Sequence, residues 1–157
     1  MSRSPWPLAP PLRVAQWFNV AEPPSLATLR GRVVVLHAFQ MLCPGCVAHG
    51  LPQARKLYEQ FAVHGVAVIG LHSVFEHHAA MTPVSLAAFI HEYRLEFPIG
   101  VDEAAGGPVP LTMQAYGMRG TPTLVVIDAA GHIRLHGFGR VEDLAVGALI
   151  GRLLAGG

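Results

Sequence analysis

The fold follows from one short segment, Val33-Val-Val-Leu-His-Ala-Phe-Gln-Met-Leu-Cys-Pro-Gly-Cys46. Its first seven residues are nearly all β-branched or apolar, which is typical of a central strand buried on both faces of a sheet. A helical pattern continues from the second cysteine to about Val63. A second apolar run, Val66–His72, follows after Gly65. Strand, helix and strand in this order predict a parallel β-α-β unit.

The remainder of the chain predicts further elements around this unit. In chain order they are an edge strand (Gln16–Phe18), an inserted helix (Pro83 to about Leu95), a short strand (Phe97–Val101), a short helix (Leu111–Tyr116), a β-hairpin (Thr123–Asp128 with Ile133–Phe138) and a last helix (Val141–Leu154). The predicted fold class is α/β, with a mixed central sheet flanked by helices. We divide the chain into a Pro-rich N-terminal arm, residues 1–14, and one domain, residues 15–157.

Composition excludes several classes of protein. Of the 157 residues, 52% are hydrophobic and 13% are charged, so the chain can build a sizeable core and is not disordered. The net charge is +1 and Lys56 is the only lysine, which argues against nucleic-acid binding. No stretch approaches the roughly 20 apolar residues of a membrane span, and the N-terminus lacks the apolar segment of a leader. We expect a cytoplasmic protein, or a periplasmic one if a leader has been removed.

The chain has two cysteines, Cys43 and Cys46, separated by Pro44 and Gly45. A crosslink across so short a loop stabilises a protein little, because loop-closure entropy grows with loop length. Cys43 precedes a helix, whose free N–H groups and dipole stabilise a thiolate, and Pro44 suits the first helical position. Cys43 can then attack a substrate, and Cys46 can resolve the mixed disulfide. The alternatives are a structural thiol pair and half of a zinc site, which would need two further ligands.

The chain resembles the thioredoxin superfamily, in its TlpA-like or redoxin-like branch, from about Trp17 to the C-terminus. Three features carry the resemblance: Cys43-Pro-Gly-Cys46 after a buried strand, Gly120-Thr-Pro-Thr123 opening a later strand, and the closing hairpin and helix. The resemblance implies a thioredoxin fold and a cis Thr121–Pro122 bond that lies against the cysteine pair. From the residues alone, a trans proline that starts an edge strand is the alternative. Because proline has no N–H, the Thr121 backbone would be free to pair with an extended substrate.

The chain departs from the superfamily pattern at several positions. Leu42 stands where tryptophan is common before the first cysteine, and Pro-Gly replaces Gly-Pro or Pro-Pro between the cysteines. His37 occupies the position of a buried Asp or Asn, and His49 occupies that of a Glu. The helix proline, Pro52, comes one residue later than usual, and we expect it to kink the helix. These changes leave the reaction class intact but do not indicate the redox direction or the partner.

Two histidines are candidate supporting residues. His37, inside the apolar strand, is either a core residue with satisfied hydrogen bonds or the proton relay for Cys46. His49, one helical turn after Cys46, is either a base near the resolving thiol or a residue of the helix surface. We predict a solvated loop, and no metal site, for the polar cluster formed by His72, Glu76, His77 and His78.

The leading hypothesis is an enzyme that exchanges a dithiol and a disulfide without a cofactor. Its substrate would be a protein or small molecule with a thiol or disulfide, and an upstream redox partner would restore the pair. One alternative is a peroxiredoxin-like peroxidase, although Gln40-Met-Leu42 lacks the Pro and Thr of that signature. The others are a copper carrier that uses both cysteines and a histidine, and a binding module whose cysteine pair is incidental.

Overall fold

Within residues 3–157, the part of the chain that the computed structural model describes, six strands form one mixed sheet. The strands are β1 (Val14–Phe18), β2 (Val34–Phe39), β3 (Ala67–His72), β4 (Ile99–Asp102), β5 (Thr123–Ile127) and β6 (Ile133–Phe138). Their order across the sheet is β1-β4-β3-β2-β5-β6. β2, β3 and β4 run parallel, whereas β1, β5 and β6 pair antiparallel to their neighbours. The apolar segment before the cysteines therefore forms a central strand, as predicted.

Helices cover both faces of this sheet. They are α1 (Leu51–Phe61), α2 (Pro83–Tyr93), α3 (Leu111–Ala115) and α4 (Asp143–Leu154). α1, α2 and α4 bury apolar residues on one face, and α3 does so on the other. α2 is the predicted insertion after the β-α-β unit, and the predicted fold class is confirmed. None of the helices in residues 3–157 has the length and apolar character needed to cross a membrane.

The central strand β2 contributes to both halves of the core, and all of its residues are buried. Val35 and Phe39 pack on the face covered by α1, α2 and α4, whereas Leu36 and Ala38 pack on the opposite face. Successive side chains of a strand alternate between its faces. His37 therefore shares the face of Val35 and Phe39 and lies beneath the helix that carries the cysteines.

The last helix begins at Asp143, two residues later than predicted. The side-chain amide of Gln53 on α1 donates to the Val141 carbonyl at 2.6 Å and to Asp143 Oδ1 at 2.9 Å. The residues between Phe138 and Asp143 therefore form a loop, the β6–α4 loop, that is tied to α1 and is not part of the helix.

The Pro-rich arm lies alongside the turn of the β5–β6 hairpin. The Ala9 N–H donates to the Gly131 carbonyl at 2.9 Å, and the Ile133 N–H donates to the Pro7 carbonyl at 2.8 Å. The guanidinium of Arg134 lies 4.8 Å from the centre of the Trp6 ring. The arm thus packs on the domain from Trp6 onward, and Met1 and Ser2 lie outside the described residues. The division at residue 14 stays a prediction, and β1 begins at Val14 itself.

Candidate active site

The cysteines lie at the end of the central strand, where a short loop joins β2 to the first helix. The His72 Nε2 accepts a hydrogen bond from the Met41 N–H at 3.2 Å, and the Gln40 side-chain oxygen accepts one from the Phe75 N–H at 3.1 Å. The Cys43 N–H donates to the Gln40 carbonyl at 3.1 Å. These bonds hold the loop in one conformation and so set the position of Cys43.

The two thiols differ in their access to solvent. Cys43 is partly exposed, Cys46 is fully buried, and both are free thiols. Their Sγ atoms lie 2.6 Å apart, and the Cys46 N–H donates to Cys43 Sγ at 3.3 Å. Burial raises the pKa of Cys46 to about 12. The helix begins at Pro44, so the exposed thiol stands at the helix tip and the buried thiol stands behind it.

The segment before β5 forms the wall opposite the cysteines. The Thr121–Pro122 peptide bond is cis in the structure. The Thr121 carbonyl oxygen lies 3.4 Å from Cys43 Sγ. A methyl group added at Gly45 would lie 3.4 Å from Pro122 Cδ, which is ordinary van der Waals contact. The fold thus brings Thr121 and Pro122 to the cysteine pair from a distant part of the chain.

A π-helical turn, Cys46–Gly50, follows the second cysteine. In it, the Leu51 N–H donates to the Cys46 carbonyl, five residues back. A π turn accommodates one residue more than the α-helical register does, which accounts for the late position of Pro52. Pro52 directly follows this turn inside a helical run that is continuous from Pro44 to Phe61, at a point where the proline has no N–H to give to the α-helical pattern. The predicted disruption of the helix therefore takes the form of a π turn just before the proline.

His37 is 1% exposed, and neither ring nitrogen has a hydrogen-bond partner within residues 3–157. The choice between a core residue and the proton relay for Cys46 stays a prediction. Its ring is parallel to that of Phe39 at 6.0 Å and faces Gly50, where an added Cβ would lie 2.7 Å from Nε2. Burial lowers the pKa of His37 to about 4, so the imidazole is neutral at pH 7.

The other predicted histidines have different surroundings. His49 is exposed on the π turn, so its side chain is free to reach solvent or a substrate. His72 belongs to β3 and is 1% exposed. The prediction that His72 lies in a solvated loop is therefore wrong. His78 contacts the Pro108 carbonyl at 2.9 Å. No three His, Cys, Asp or Glu side chains in residues 3–157 converge in a way that could hold a metal ion.

Two residues that shape the site were not identified from the sequence. Gln53 joins α1 to the β6–α4 loop, and it carries no sequence signal because its partners lie about 90 positions away. Gly50 leaves room for His37. A signal for Gly50 did exist, since a glycine inside a helical pattern costs about 1 kcal/mol relative to alanine.

The fold and the Cys-x-x-Cys pair at a helix N-terminus define a redoxin-like protein of the thioredoxin superfamily, as the sequence predicted. The model of the AhpC/TSA family matches residues 10–136, and the chain belongs to that family. Among solved structures, a thioredoxin-like superfamily protein is 58% identical with a TM-score of 0.92, over 94% of this chain and 96% of that one. A thiol-disulfide isomerase from Corynebacterium glutamicum is 48% identical with a TM-score of 0.90, over 96% and 97%.

Curated relatives show the same similarity at lower identity. Thiol-disulfide oxidoreductase ResA of Halalkalibacterium halodurans is 29% identical over 76% of this chain. NHL repeat-containing protein 2 of Gallus gallus is 31% identical over 84% of this chain. The chain spans 62% of the first relative and 18% of the second.

Proposed function

We propose that this protein is a thiol:disulfide oxidoreductase that acts through Cys43 and Cys46. The observation that carries the proposal is the asymmetry of the pair. A partly exposed thiol at a helix N-terminus lies 2.6 Å from a fully buried one. An exposed thiol can reach a substrate, and a buried one can react only with its neighbour. The names of two similar proteins, an oxidoreductase and an isomerase, support the same chemistry.

The reaction consists of two exchanges. The Cys43 thiolate attacks one sulfur of a substrate disulfide, the substrate S–S bond breaks, and the departing thiolate takes up a proton. The Cys46 thiolate then attacks Cys43 Sγ, which releases the second substrate thiolate and leaves a Cys43–Cys46 disulfide. Two electrons pass from the protein to the substrate, and an upstream redox partner restores the dithiol. Run in reverse, the same steps oxidise a substrate dithiol.

The substrate approaches along the wall formed by Gly120, Thr121 and Pro122. The Thr121 carbonyl is already beside Cys43 Sγ. Because Pro122 has no N–H, an extended substrate segment pairs with the backbone of Thr121. The substrate class comprises proteins and small molecules that carry a thiol or a disulfide.

Serine substitutions at the two cysteines test the proposal. Cys43→Ser should abolish reduction of insulin, because no accessible thiol remains. Cys46→Ser should still attack the substrate but should accumulate a mixed disulfide, which mass spectrometry detects. Accumulation in Cys43→Ser and not in Cys46→Ser would reverse the assignment. Peroxide consumption without insulin reduction would instead favour the peroxidase alternative.

His37 is proposed as the proton relay for Cys46. With its pKa raised to about 12, the Cys46 thiol needs a base before it can attack. The neutral imidazole of His37 lies on the same face of the sheet as Cys46 and has an acceptor nitrogen without a partner within residues 3–157. His49 is the exposed alternative. His37→Ala should slow resolution of the mixed disulfide at least tenfold, and its formation less than about twofold. Stopped-flow kinetics separates the steps, and equal slowing of both would leave His37 with a packing role.

A further inference from the structure

The loop between β2 and the first cysteine, residues 40–42, is anchored by a buried side-chain amide. Gln40 is 1% exposed. Its side-chain oxygen accepts from the Phe75 N–H at 3.1 Å, and its side-chain nitrogen donates to Glu76 Oε1 at 3.4 Å. Both partners belong to the β3–α2 loop, residues 73–82. Because burial of an amide is unfavourable unless its hydrogen bonds are made, the Gln40 side chain is stable only where these bonds are kept.

The β3–α2 loop is in turn held by the sheet. The Ser73 N–H donates to the Phe39 carbonyl at 3.0 Å, and Ser73 Oγ donates to Asp102 Oδ2 at 2.9 Å. The Asp102 carboxylate also accepts from the Thr112 N–H at 2.8 Å. Ser73, Asp102 and Thr112 are all buried. Gln40 is therefore tied to a firmly held part of the molecule.

The backbone of Gln40 interacts with both cysteines. Its carbonyl oxygen accepts from the Cys43 N–H at 3.1 Å. Burial raises the pKa of Cys46 to about 12, and the Gln40 N–H acts in the opposite direction because it hydrogen-bonds the thiolate form. The contacts that fix the Gln40 side chain therefore also fix one backbone acceptor and one backbone donor of the redox site.

His72 provides a second anchor for the same loop. Its Nε2 accepts from the Met41 N–H at 3.2 Å, and the residue is 1% exposed. Burial keeps the ring neutral at pH 7 by lowering its pKa to about 4, and a neutral imidazole has one nitrogen that can accept. Leu42, which follows the two anchored residues, is 58% exposed. Two buried polar side chains thus hold the loop from within, while its last residue faces solvent.

We propose that Gln40 and His72 are positioning residues for the exchange between the two cysteines. In the resolving step, Cys46 Sγ must approach Cys43 Sγ in line with the S–S bond of the mixed disulfide that breaks. A displacement of about 1 Å at a reacting group can cost roughly a hundredfold in rate. The first attack is less demanding, because a free substrate can adjust its approach to an exposed thiol. The inference rests on the proposed function and assigns two residues to its second step.

Stopped-flow kinetics with dithiobis(nitrobenzoic acid) tests the inference, since each of the two steps releases one coloured thiolate. Gln40→Leu leaves the Phe75 N–H without its acceptor. It should slow the second release at least tenfold and change the first less than about twofold.

A pair of substitutions at His72 tests the second anchor. His72→Leu should also slow the second release at least tenfold, roughly the effect of a misplaced reacting group. His72→Gln should restore the rate to within about threefold, because a glutamine oxygen can take the place of Nε2 and accept from the Met41 N–H.

Tyr116→Phe is the matched control. It removes the partly buried hydrogen bond from Tyr116 Oη to the Pro10 carbonyl, at 2.7 Å, which does not involve the cysteine loop. Urea denaturation should show a loss of stability similar to that of the other variants, while the rates of both releases stay unchanged.

The outcomes separate the inference from the proposed function. If the second release is as fast in Gln40→Leu and His72→Leu as in the unchanged protein, the inference is wrong and the proposed function stands. Equal slowing in Tyr116→Phe, or in both His72 variants, would also overturn the inference. If Gln40→Leu does not fold, the two His72 variants decide. If the unchanged protein releases no second thiolate, the proposed function fails and the inference fails with it.

Discussion

At the scale of single residues, the site depends on one contact between a histidine and a glycine. The chain places His37 in the central strand and Gly50 at the end of the π turn above it. The imidazole occupies the space that a side chain at residue 50 would need. The backbone of Gly50 is in the ordinary right-handed helical region, at φ −63°. A glycine is therefore required here because it has no side chain, and not because of its backbone conformation.

Gly50→Ala should destabilise the protein by about 1–3 kcal/mol, because an added methyl group overlaps the imidazole in a packed core. Gly147→Ala is the matched control, since Gly147 also lies in a helix but a Cβ there meets no described atom within 4 Å. That control should stabilise the protein by about 0.5–1 kcal/mol. Urea denaturation measures both changes.

The combination of Gly50→Ala with His37→Ala identifies the cause. If the overlap with the imidazole is responsible, the double variant is less destabilised than the sum of the two single variants. Strict additivity would place the effect of residue 50 elsewhere.

At the scale of secondary-structure elements, the site is assembled where α1, β5 and the β6–α4 loop meet. Cys43-Pro-Gly-Cys46 precedes α1, Thr121-Pro122 precedes β5, and the loop closes the third side. The Gly139 N–H donates to the Pro122 carbonyl at 2.8 Å, which joins the loop to the proline segment. Gln53 joins the same loop to α1.

Gln53→Ala should therefore lower the free energy of unfolding by about 1–3 kcal/mol. It removes the amide that donates to the partly buried Val141 carbonyl and to the Asp143 carboxylate, and the loss of hydrogen bonds of this kind costs about that much. Gln60→Ala is the control on the same helix, because Gln60 is exposed and such substitutions stay within about 0.5 kcal/mol. Chemical denaturation of the two variants provides the comparison, and equal stabilities would show that the Gln53 amide contributes nothing.

At the scale of the whole molecule, two neutral histidines are buried in the fold. Burial lowers the pKa of both His37 and His72 to about 4, from the ordinary value of 6.5. Between these values the unfolded chain binds more protons than the folded one. The stability that the two neutral rings allow is thus fully present above about pH 6.5 and is lost as the pH falls toward 4. Burial raises the pKa of Asp102, which acts in the opposite direction at the acidic end.

We expect the free energy of unfolding to fall by about 2–3 kcal/mol per histidine between pH 7 and pH 4.5. Urea denaturation at both pH values measures the loss. The variant His37→Gln with His72→Gln has no imidazole to protonate at these positions and should lose correspondingly less on acidification. The same loss in this variant and in the unchanged protein would show that other groups cause the pH dependence.

Local patterns of the sequence were enough to predict the fold class, the central position of β2 and the two cysteines as the candidate reactive pair. These conclusions depend on local patterns: an apolar run, a helical repeat and the spacing of two residues along the chain. The folded structure was needed to show that His37 has no hydrogen-bond partner within residues 3–157, that His72 holds the loop before Cys43 and that Gln53 ties α1 to the start of α4. Each of these depends on which distant segments meet, and no local pattern of the chain records that.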